Sequence, residues 1–259
     1  MYAEERQHAI AALVMQQGRA SVAELAQAYE VTTETVRRDL AVLHKAGLLR
    51  RVHGGAVPAR ALHLVEQDVG ERDATRAAHK DAIAAAATDV FPVAGSSVLL
   101  DAGTTTSRVA ALIPTDRELV VITNSVPVAA RLSAMQSVAL HLLGGRVRGL
   151  TQATVGEQAL QTLEQLRVDI AFIGTNGITT RHGLSTPDGE EAAIKRAMVR
   201  CANYVVVVAD SSKIGREELH SFAPISSVDA LITDTEITDP AREELAALGI
   251  EVTCAGASA

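Results

Sequence analysis

The stretch Thr32-Thr33-Glu34-Thr35-Val36-Arg37-Arg38-Asp39-Leu40 predicts the start of a helix with one apolar and one basic face. Val36, Leu40 and Leu43 recur at the spacing of one helical face, so the helix is expected to run to about Ala46. A threonine at its start can cap the first turn, and Gly47 can end the helix. The opposite face carries polar side chains: Thr33, Glu34, Arg37, Arg38 and His44.

Two shorter helical patterns precede this helix. Residues 3–17 repeat apolar side chains at helical spacing, and residues 22–29 follow Ser21, with Glu24 three positions after that serine. Serine followed by glutamate at this spacing is the capping-box pattern of a helix N-terminus. A short helix, a tight turn and a helix with an exposed polar N-terminal half are typical of a helix-turn-helix, whose second helix fits the major groove of DNA.

A β-hairpin is predicted directly after the third helix. A β-prone run over residues 48–53 meets Gly54-Gly55 and a second β-prone run, which is typical of the wing in a winged helix. Arg50, Arg51 and His53 would lie near its tip and contact phosphates or a minor groove. The spacing alone leaves open an alternative, a three-helix bundle whose basic face is simply solvated.

Charge is distributed unevenly along this chain of 259 residues. The whole chain carries −7, whereas residues 1–56 carry +1 and the remainder carries −8. Residues 37–51 hold five basic side chains and one acidic one, and a small basic surface on an acidic protein is compatible with DNA binding through one face. The candidates for DNA contact are Ser21, Thr32, Thr33, Thr35, Arg37, Arg38, Lys45, Arg50, Arg51, His53 and Gly54.

A second and larger domain follows the DNA-binding domain. Residues 58–75 show no clean periodicity and are predicted to link a domain over residues 1–57 to one over residues 76–259. In the larger domain apolar β-type runs alternate with helical patterns, which predicts a mainly parallel sheet covered by helices. The predicted strands cover residues 97–100, 119–123, 138–143, 169–173, 204–209, 231–233 and 251–254. The predicted helices cover residues 79–89, 105–112, 126–134, 157–166, 191–201 and 240–248.

Polar motifs follow five of these predicted strands. Residues 101–106, Asp-Ala-Gly-Thr-Thr-Thr, lie between a strand and a helix, where glycine allows close approach and the helix N-terminus favours an anion. Residues 123–125, 144–146, 174–178 and 210–213 follow four other strands. Ligands of parallel sheets bind beyond the carboxyl ends of the strands, so the motifs together predict an anionic, hydroxyl-rich ligand such as a sugar phosphate. Each motif alone also fits a helix cap or an ordinary surface pair.

Both halves of the chain resemble the DeoR family of bacterial repressors. The Thr-Val-Arg-Arg-Asp-Leu sequence at residues 35–40 and the His-Gly-Gly-Ala sequence at residues 53–56 are highly specific to that family. Leu-Asp-Ala-Gly-Thr-Thr-Thr at residues 100–106 and Ala-Asp-Ser-Ser-Lys at residues 209–213 resemble its effector domain. The resemblance covers residues 3–235 and weakens at residues 60–72, where the family usually has an aromatic-containing stretch and this chain has His63-Leu64-Val65.

The resemblance implies roles for individual residues. The effector domain would be similar in fold to ribose-5-phosphate isomerases and CoA transferases. Thr35, Arg37 and Arg38 would face DNA, and Asp39 would orient a neighbouring arginine, because a carboxylate repels phosphate. The phosphate would be bound by Gly103, Thr104, Thr105 and Thr106. The sugar pocket would be lined by Asp101, Asn124, Gly145, Asn176, Gly177, Lys195, Asp210 and Lys213.

These expectations describe a sequence-specific DNA-binding regulator, a repressor of sugar-metabolism genes that a phosphorylated sugar releases from its operator. Its partners would be double-stranded operator DNA, the sugar phosphate and further copies of the chain in a dimer or tetramer, because two-fold assemblies match repeated half-sites. No cofactor is expected besides this effector. The rival is a phosphosugar isomerase with Glu190, Glu191 or Asp210 as general base, but nothing in the sequence identifies a catalytic geometry, so no enzyme is expected.

Other classes of function lack their sequence signal. Neither G-x-x-x-x-G-K-[ST] nor G-x-G-x-x-G occurs, which argues against a nucleotide site. The eight histidines are scattered and the two cysteines match no ligand spacing, so no metal site is expected. No apolar run reaches the roughly 18 residues of a membrane span, and the charged N-terminus does not resemble a secretory signal. A cytoplasmic location with both thiols reduced is therefore expected.

Overall fold

A computed structural model describes residues 3–17, 20–46, 48–52, 54–58 and 69–256. The chain divides into two compact units, Met1–His63 and Leu64–Ala259. Among the described residues, no helix is both long enough and apolar enough to span a membrane.

The first unit is a winged helix-turn-helix. Its elements are α1 (Ala3–Gln17), β1 (Ala20–Ser21), α2 (Val22–Ala28), α3 (Thr33–Lys45), β2 (Leu49–Val52) and β3 (Gly55–Pro58). The three helices pack around Ile10, Leu25 and Leu40, which are all buried. β3 pairs antiparallel with both β1 and β2, so the wing closes against the start of α2. The predicted architecture of this unit is confirmed.

The second unit is an α/β domain. Its helices are α4 (Val69–Ala74), α5 (Ala77–Ala87), α6 (Thr104–Ala111), α7 (Val126–Leu132), α8 (Glu157–Glu164), α9 (Gly189–Cys201) and α10 (Asp239–Ala247). Its strands are β4 (Ser97–Leu100), β5 (Leu119–Thr123), β6 (Val138–Leu142), β7 (Arg146–Arg148), β8 (Ala153–Val155), β9 (Val168–Ile173), β10 (Gly177–Thr179), β11 (Gly183–Thr186), β12 (Ala202–Val208), β13 (His220–Ala223), β14 (Ala230–Asp234) and β15 (Glu251–Ala255).

A seven-stranded sheet in the order β15-β14-β12-β9-β4-β5-β6 forms the centre of this domain. All of its strand pairs are parallel. Successive residues alternate between two apolar layers: Leu99 faces the layer that includes α8 and α9, and Leu100 faces the layer that includes α5, α6 and α7. Helices cover both faces of the sheet, which explains the near-continuous apolar strands. The predicted mainly parallel α/β fold is confirmed, with all seven predicted strands present.

A β-hairpin, a small antiparallel sheet and one helix lie outside the predicted pattern. β7 and β8 form an antiparallel hairpin, and β10, β11 and β13 form a separate antiparallel sheet. These strands have three or four residues each, too few for a periodic apolar signal.

The third such element is α4, which lies inside the segment expected to be linker. Asp73 on α4 pairs with Arg108, and the Lys80 ammonium donates to the carbonyl oxygens of Arg72 and Thr75. α4 is therefore held by contacts from more distant parts of the chain, which local sequence does not show.

Candidate functional site

The N-terminus of α3 is formed by hydroxyl caps. Thr32 accepts a hydrogen bond from the Thr35 amide at 3.2 Å, and the hydroxyls of Thr32 and Thr35 lie 2.9 Å apart. Ser21 completes the predicted capping box of α2, accepting from the Glu24 amide at 3.1 Å while its own amide donates to the Glu24 carboxylate at 2.8 Å. Two candidate DNA contacts, Ser21 and Thr32, thus also define where the helices of the motif begin.

Asp39 ties α3 to α1. Its carboxylate accepts from Arg6 Nε at 2.6 Å and from Gln7 Nε2 at 2.9 Å, and both Arg6 and Asp39 are buried. The hydrogen bond to Asp39 raises the pKa of the Arg6 guanidinium. Asp39 therefore orients Arg6, which is distant in sequence, rather than the adjacent Arg37 or Arg38.

We expect Asp39→Asn to destabilise the first unit more than Glu34→Gln does, because it leaves the Arg6 guanidinium without its carboxylate. Urea denaturation followed by circular dichroism measures this. Glu34→Gln is the matched control, since Glu34 meets Arg37 and Arg38 only at the surface, at 3.5 and 3.9 Å, and its loss should change stability by less than about 0.5 kcal/mol. Equal stability of the two variants would show that the buried pair is not needed.

The exposed face of α3 carries the arginines proposed to read DNA. The side chains of Arg37 and Arg38 are 55% and 83% exposed. Thr33 and Lys45 are also exposed, and Thr35 is half-buried. An exposed face of a helix that follows a capped tight turn can enter the major groove, where arginine can donate two hydrogen bonds to guanine.

The wing is a tight hairpin in which Val52 lies opposite Gly55. Gly54 has φ +79°, a conformation that favours glycine, and a side chain on Gly55 would collide with the Ala20 carbonyl oxygen. These glycines allow the wing to reverse and to pack against β1. Predicted contacts by the Arg50 and Arg51 side chains and by His53 fall outside the described residues.

A cavity at the carboxyl edge of the parallel sheet gathers most of the predicted effector residues. Those that line it are Gly103, Thr104, Thr105, Thr106, Asn176, Lys195, Asp210 and Lys213. Residues that the motif reasoning did not assign to an effector also line it, among them Arg72, Thr75, Lys80, Thr175, Glu191 and Ser212. Arg72 lies on α4, Lys80 lies on α5, and Thr75 lies between these two helices.

One wall of the cavity is the N-terminus of α6. No side chain caps this helix, whose cap residue is Gly103. The Thr106 hydroxyl instead donates to the Gly103 carbonyl oxygen at 3.0 Å. The first-turn amides are therefore left without a side-chain acceptor, and amides in this position favour an anion.

Asp101 and Lys195 form a buried pair beside this helix. The Lys195 ammonium contacts the Asp101 carboxylate and also donates to the Gly174 carbonyl oxygen at 2.9 Å. The same carboxylate oxygen accepts from the Gly174 amide at 3.0 Å, while Asp101 Oδ1 is buried without a partner among the described residues. Burial raises the pKa of Asp101, although Lys195 opposes that shift. The two charges of the pair neutralise each other, and one carboxylate oxygen remains a buried acceptor.

Three cations, Arg72, Lys80 and Lys213, also line the cavity. Within the described part of the chain, the Lys80 ammonium donates to carbonyl oxygens, those of Arg72 and Thr75, and to no carboxylate. Neither Arg72 nor Lys213 has an ion-pair partner within the described ranges. Asp210, the adjacent carboxylate, lies 3.2 Å from Arg76 Nε. This part of the lining is therefore positively charged without an equal number of available carboxylates.

Burial lowers the pKa of two lysines that line the cavity. Desolvation lowers the pKa of Lys80 to about 8, and the neighbouring charges of Arg108 and Lys213 act in the same direction. Desolvation also lowers the pKa of Lys213, partly offset by Asp210. An arriving anion would relieve both penalties, because it favours the charged form of each lysine.

Glu191, a candidate base of the rival enzyme hypothesis, has a structural partner. Its carboxylate accepts from Arg148 at 3.1 Å and from the Thr151 hydroxyl, and Arg148 also lies 3.3 Å from Asp188. The pair fastens the β7–β8 hairpin to α9.

Four predicted effector residues, Asp101, Asn124, Gly145 and Gly177, do not line this cavity. Asn124 accepts from the Ala102 amide at 2.9 Å and donates to the Thr154 carbonyl oxygen at 3.3 Å, so it braces the loop before α6. A side chain at Gly145 or Gly177 would lie 2.5 Å from a carbonyl oxygen, that of Val155 or Arg216. These residues support the loops that line the cavity but do not line it themselves. The motif pattern did not distinguish supporting residues from lining residues.

One group of possible metal ligands is present outside the cavity. Ligand atoms of His79, Asp234 and Glu236 lie within 4.8 Å of one another. Arg76 Nη2 lies 3.2 Å from Asp234 and 2.7 Å from Glu236, and His79 Nε2 lies 2.9 Å from Glu236. The guanidinium already supplies the positive charge that these carboxylates need.

A winged helix-turn-helix with an exposed basic helix, joined in one chain to an α/β domain with a cationic cavity, defines a DNA-binding regulator with its own sensor domain. The DeoR-like helix-turn-helix domain matches residues 6–60, and the DeoR C-terminal sensor domain matches residues 75–235. The chain belongs to the DeoR family of transcriptional regulators.

Full-length relatives agree with this assignment. The chain is 37% identical over 252 residues to the HTH-type transcriptional regulator GlpR of Haloferax volcanii, covering 97% of this chain and 98% of the relative. It is 34% identical over 231 residues to the glycerol-3-phosphate regulon repressor of Escherichia coli K12, covering 89% and 90%. It is 35% identical over 253 residues to a putative aga operon transcriptional repressor of Escherichia coli O157:H7, covering 97% and 94%.

Solved structures with a related arrangement are more distant. The full-length sorbitol operon regulator SorC of Klebsiella pneumoniae aligns with a TM-score of 0.41 and 14% identity, over 92% of this chain and 97% of that one. Ribose 5-phosphate isomerase from Plasmodium falciparum aligns with a TM-score of 0.38 and 17% identity, over 53% and 52%.

Proposed function

We propose that this regulator is a repressor of sugar-metabolism genes and that a phosphorylated sugar in the cavity releases it from its operator. The observation that carries the proposal is the cavity's charge: Arg72, Lys80 and Lys213 lack carboxylate partners among the described residues and share the cavity with the uncapped N-terminus of α6. A phosphate dianion complements both features. Relatives named as repressors of the glycerol-3-phosphate regulon and of the aga operon support the same class of effector.

The sugar moiety would bind to the uncharged groups of the cavity and to charged groups that already form an ion pair. Asn176 and Thr175 line the cavity with amide and hydroxyl groups. Asp101, which is next to the lining residue Ala102 and pairs with the lining residue Lys195, has a buried oxygen, Oδ1, without a partner in the described part of the chain. Hydroxyl groups of a sugar can satisfy such acceptors, and an unsatisfied buried acceptor costs about 1–3 kcal/mol. The cavity is thus expected to prefer a phosphorylated polyol or sugar to inorganic phosphate.

Release of DNA requires that the cavity influence the segment that leads to the reading head. Arg72 belongs to α4, the first described element of the sensor unit. Directly after it, Arg76 has φ 54° and ψ 37°, a left-handed conformation that is unfavourable for arginine, and its side chain contacts Asp210, Asp234 and Glu236. We propose that a phosphate bound by Arg72 shifts α4 against this fixed point.

The expected coupling is about 1–3 kcal/mol, or roughly 5- to 150-fold in operator affinity. By thermodynamic linkage, operator DNA must weaken effector binding by the same factor. Equal effector affinity with and without operator would refute this coupling.

The direct experiment measures binding of the full chain to DNA upstream of its own gene at a stated salt concentration, with and without a panel of sugar phosphates. Specific binding that one phosphorylated sugar reverses, and its unphosphorylated form does not, is the expected result. Absence of specific DNA binding together with turnover of a phosphosugar would instead support the isomerase hypothesis.

The lowered pKa of Lys80 predicts how effector affinity depends on pH. Because its pKa is lowered to about 8, Lys80 is charged in the free protein at pH 7 and largely neutral at pH 9. A phosphate dianion needs the ammonium, so binding above pH 8 must take up a proton, and affinity should fall by up to ~10-fold per pH unit above pH 8.

Calorimetry at pH 7, 8 and 9, in buffers of different ionisation enthalpy, measures both affinity and proton uptake. Lys80→Arg is the matched control, because arginine keeps its charge throughout this range and should flatten the dependence. A wild-type affinity that does not change between pH 7 and 9 would exclude Lys80 from the anion site.

A further inference from the structure

Among the described residues, the strand β6, Val138–Leu142, is an unpaired edge of the seven-stranded sheet. Its sequence, Val-Ala-Leu-His-Leu, contains no proline, lysine or carboxylate, and the Leu142 side chain is 48% exposed. Edge strands are usually protected from pairing by charge, proline or a bulge. The opposite edge, β15, begins with the exposed and charged Glu251. β6 therefore lacks the protection expected of an edge that remains free.

The main chain of β6 is oriented for further pairing. The Leu143 amide donates to the Thr123 carbonyl oxygen at 2.8 Å, and the Ser137 carbonyl oxygen accepts from the Leu119 amide at 3.0 Å. Amide and carbonyl directions alternate along a strand, so residues 139 and 141 also bond to β5. The amides and carbonyls of Leu140 and Leu142, and the carbonyl of Val138, consequently point away from the sheet.

We propose that β6 pairs antiparallel with β6 of a second copy of this chain, with Leu140 opposite its counterpart on the two-fold axis. In this register Leu140 exchanges two hydrogen bonds with its counterpart, and each Leu142 amide donates to the Val138 carbonyl oxygen of the other copy. The residues whose main-chain groups point outward in one copy then lie opposite the same set of residues in the other copy, as an antiparallel ladder requires.

The side chains fit the same register. Val138 lies opposite Leu142 and Ala139 opposite His141, so apolar residues face each other, a small residue faces a large one, and no like charges meet. A two-fold contact also pairs the β6 edge of both copies. The assembly then ends at two copies, because the edges that remain are β15 and differ from β6. The product is a continuous fourteen-stranded sheet from two seven-stranded ones. A two-fold assembly suits a DNA-binding regulator that reads repeated half-sites.

The test exploits the close pair of positions 139 and 141, whose side chains approach most nearly in this register. Ala139→Lys combined with His141→Lys places like charges opposite each other twice. Ala139→Glu combined with His141→Lys places opposite charges there. Sedimentation velocity of the full chain without DNA measures the assembly of each variant.

We expect the double-lysine variant to dissociate to half the mass of the wild type, with a dissociation constant raised at least ~10-fold, and the glutamate–lysine variant to restore the wild-type mass. Restoration is specific to the proposed register, because a shift of the register by two residues places glutamate opposite glutamate or lysine opposite lysine. Circular dichroism of each variant shows that it folds.

A second pair of variants tests the main chain itself. Leu142→Pro removes an outward amide donor, whereas Leu142→Ala keeps the amide and removes the same exposed side chain. Only the proline variant should weaken the assembly strongly. An unchanged mass in the double-lysine variant, or dissociation that the glutamate–lysine variant fails to reverse, would overturn the proposal.

Discussion

Arg37→Ala is expected to weaken specific operator binding by roughly 5- to 150-fold, the loss of one bidentate arginine–guanine contact. The side chain lies on α3, is 55% exposed and, among the described residues, pairs only with the exposed Glu34, at 3.5 Å, so its removal leaves no buried partner there unpaired. Stability should therefore change by less than about 0.5 kcal/mol. Fluorescence anisotropy with operator and scrambled DNA, at fixed salt, separates specific from non-specific affinity.

Arg242→Ala supplies the matched control for this measurement. Arg242 lies on α10, is 52% exposed and, within the described ranges, pairs only with Asp239, at 3.9 Å, so the charge change and the exposure are nearly the same as for Arg37. The control should retain operator affinity within about twofold, because Arg242 lies in the sensor unit and not on the helix proposed to read DNA. If the two variants lose affinity equally, the loss reflects net charge, and α3 would not be the reading helix.

Lys213→Ala is expected to give a repressor that binds its operator normally and no longer responds to the effector. Lys213 lines the cavity and has no ion-pair partner among the residues that the structure describes. Loss of one charge-assisted hydrogen bond to phosphate should weaken effector binding by roughly 10- to 150-fold. Because burial lowers the pKa of Lys213, its removal also relieves a desolvation penalty, and stability should not fall.

Two measurements on this variant distinguish the site from the fold. Titration calorimetry with the effector gives the loss of affinity, and operator binding with increasing effector gives the loss of response. Arg117→Ala is the control, because Arg117 pairs with Asp116 at 3.1 Å and does not line the cavity. A Lys213→Ala variant that responds like the wild type would show that the effector binds elsewhere.

The architecture was readable from sequence because the signals are local and repeated. The strands over residues 119–123 and 204–209 are runs of β-branched residues with few alternatives, and Ser21 with Glu24 forms the capping box that their spacing predicts. The family motifs at residues 35–40 and 100–106 indicated both functions, since a DNA-reading helix and a strand–loop–helix anion site each depend on contiguous residues.

The composition of the cavity could be predicted only in part. Its motif residues follow strand ends, which topology brings to one edge. Arg72 and Lys80 have no such motif, and they reach the cavity because α4 packs on α6 through Asp73 and Arg108. Asn124 and Gly145 occupy motif positions, yet the β7–β8 hairpin makes them supports rather than lining residues. Whether a side chain supports or lines a site depends on its direction in space.

The sequence by itself thus determined the two domains' fold classes, the helix that carries the arginines proposed to read DNA and the edge of the sheet proposed to bind a ligand, because apolar periodicity, caps and strand-end motifs act over a few neighbouring residues. Only the tertiary structure decided that Asp39 holds Arg6 and, among the described residues, that three cations line one cavity without matching carboxylates and that β6 is an unpaired edge of the sheet. Those features depend on distances between residues tens to more than a hundred positions apart, such as Lys80 and Lys213. Packing of whole elements sets such distances, and no local pattern records them.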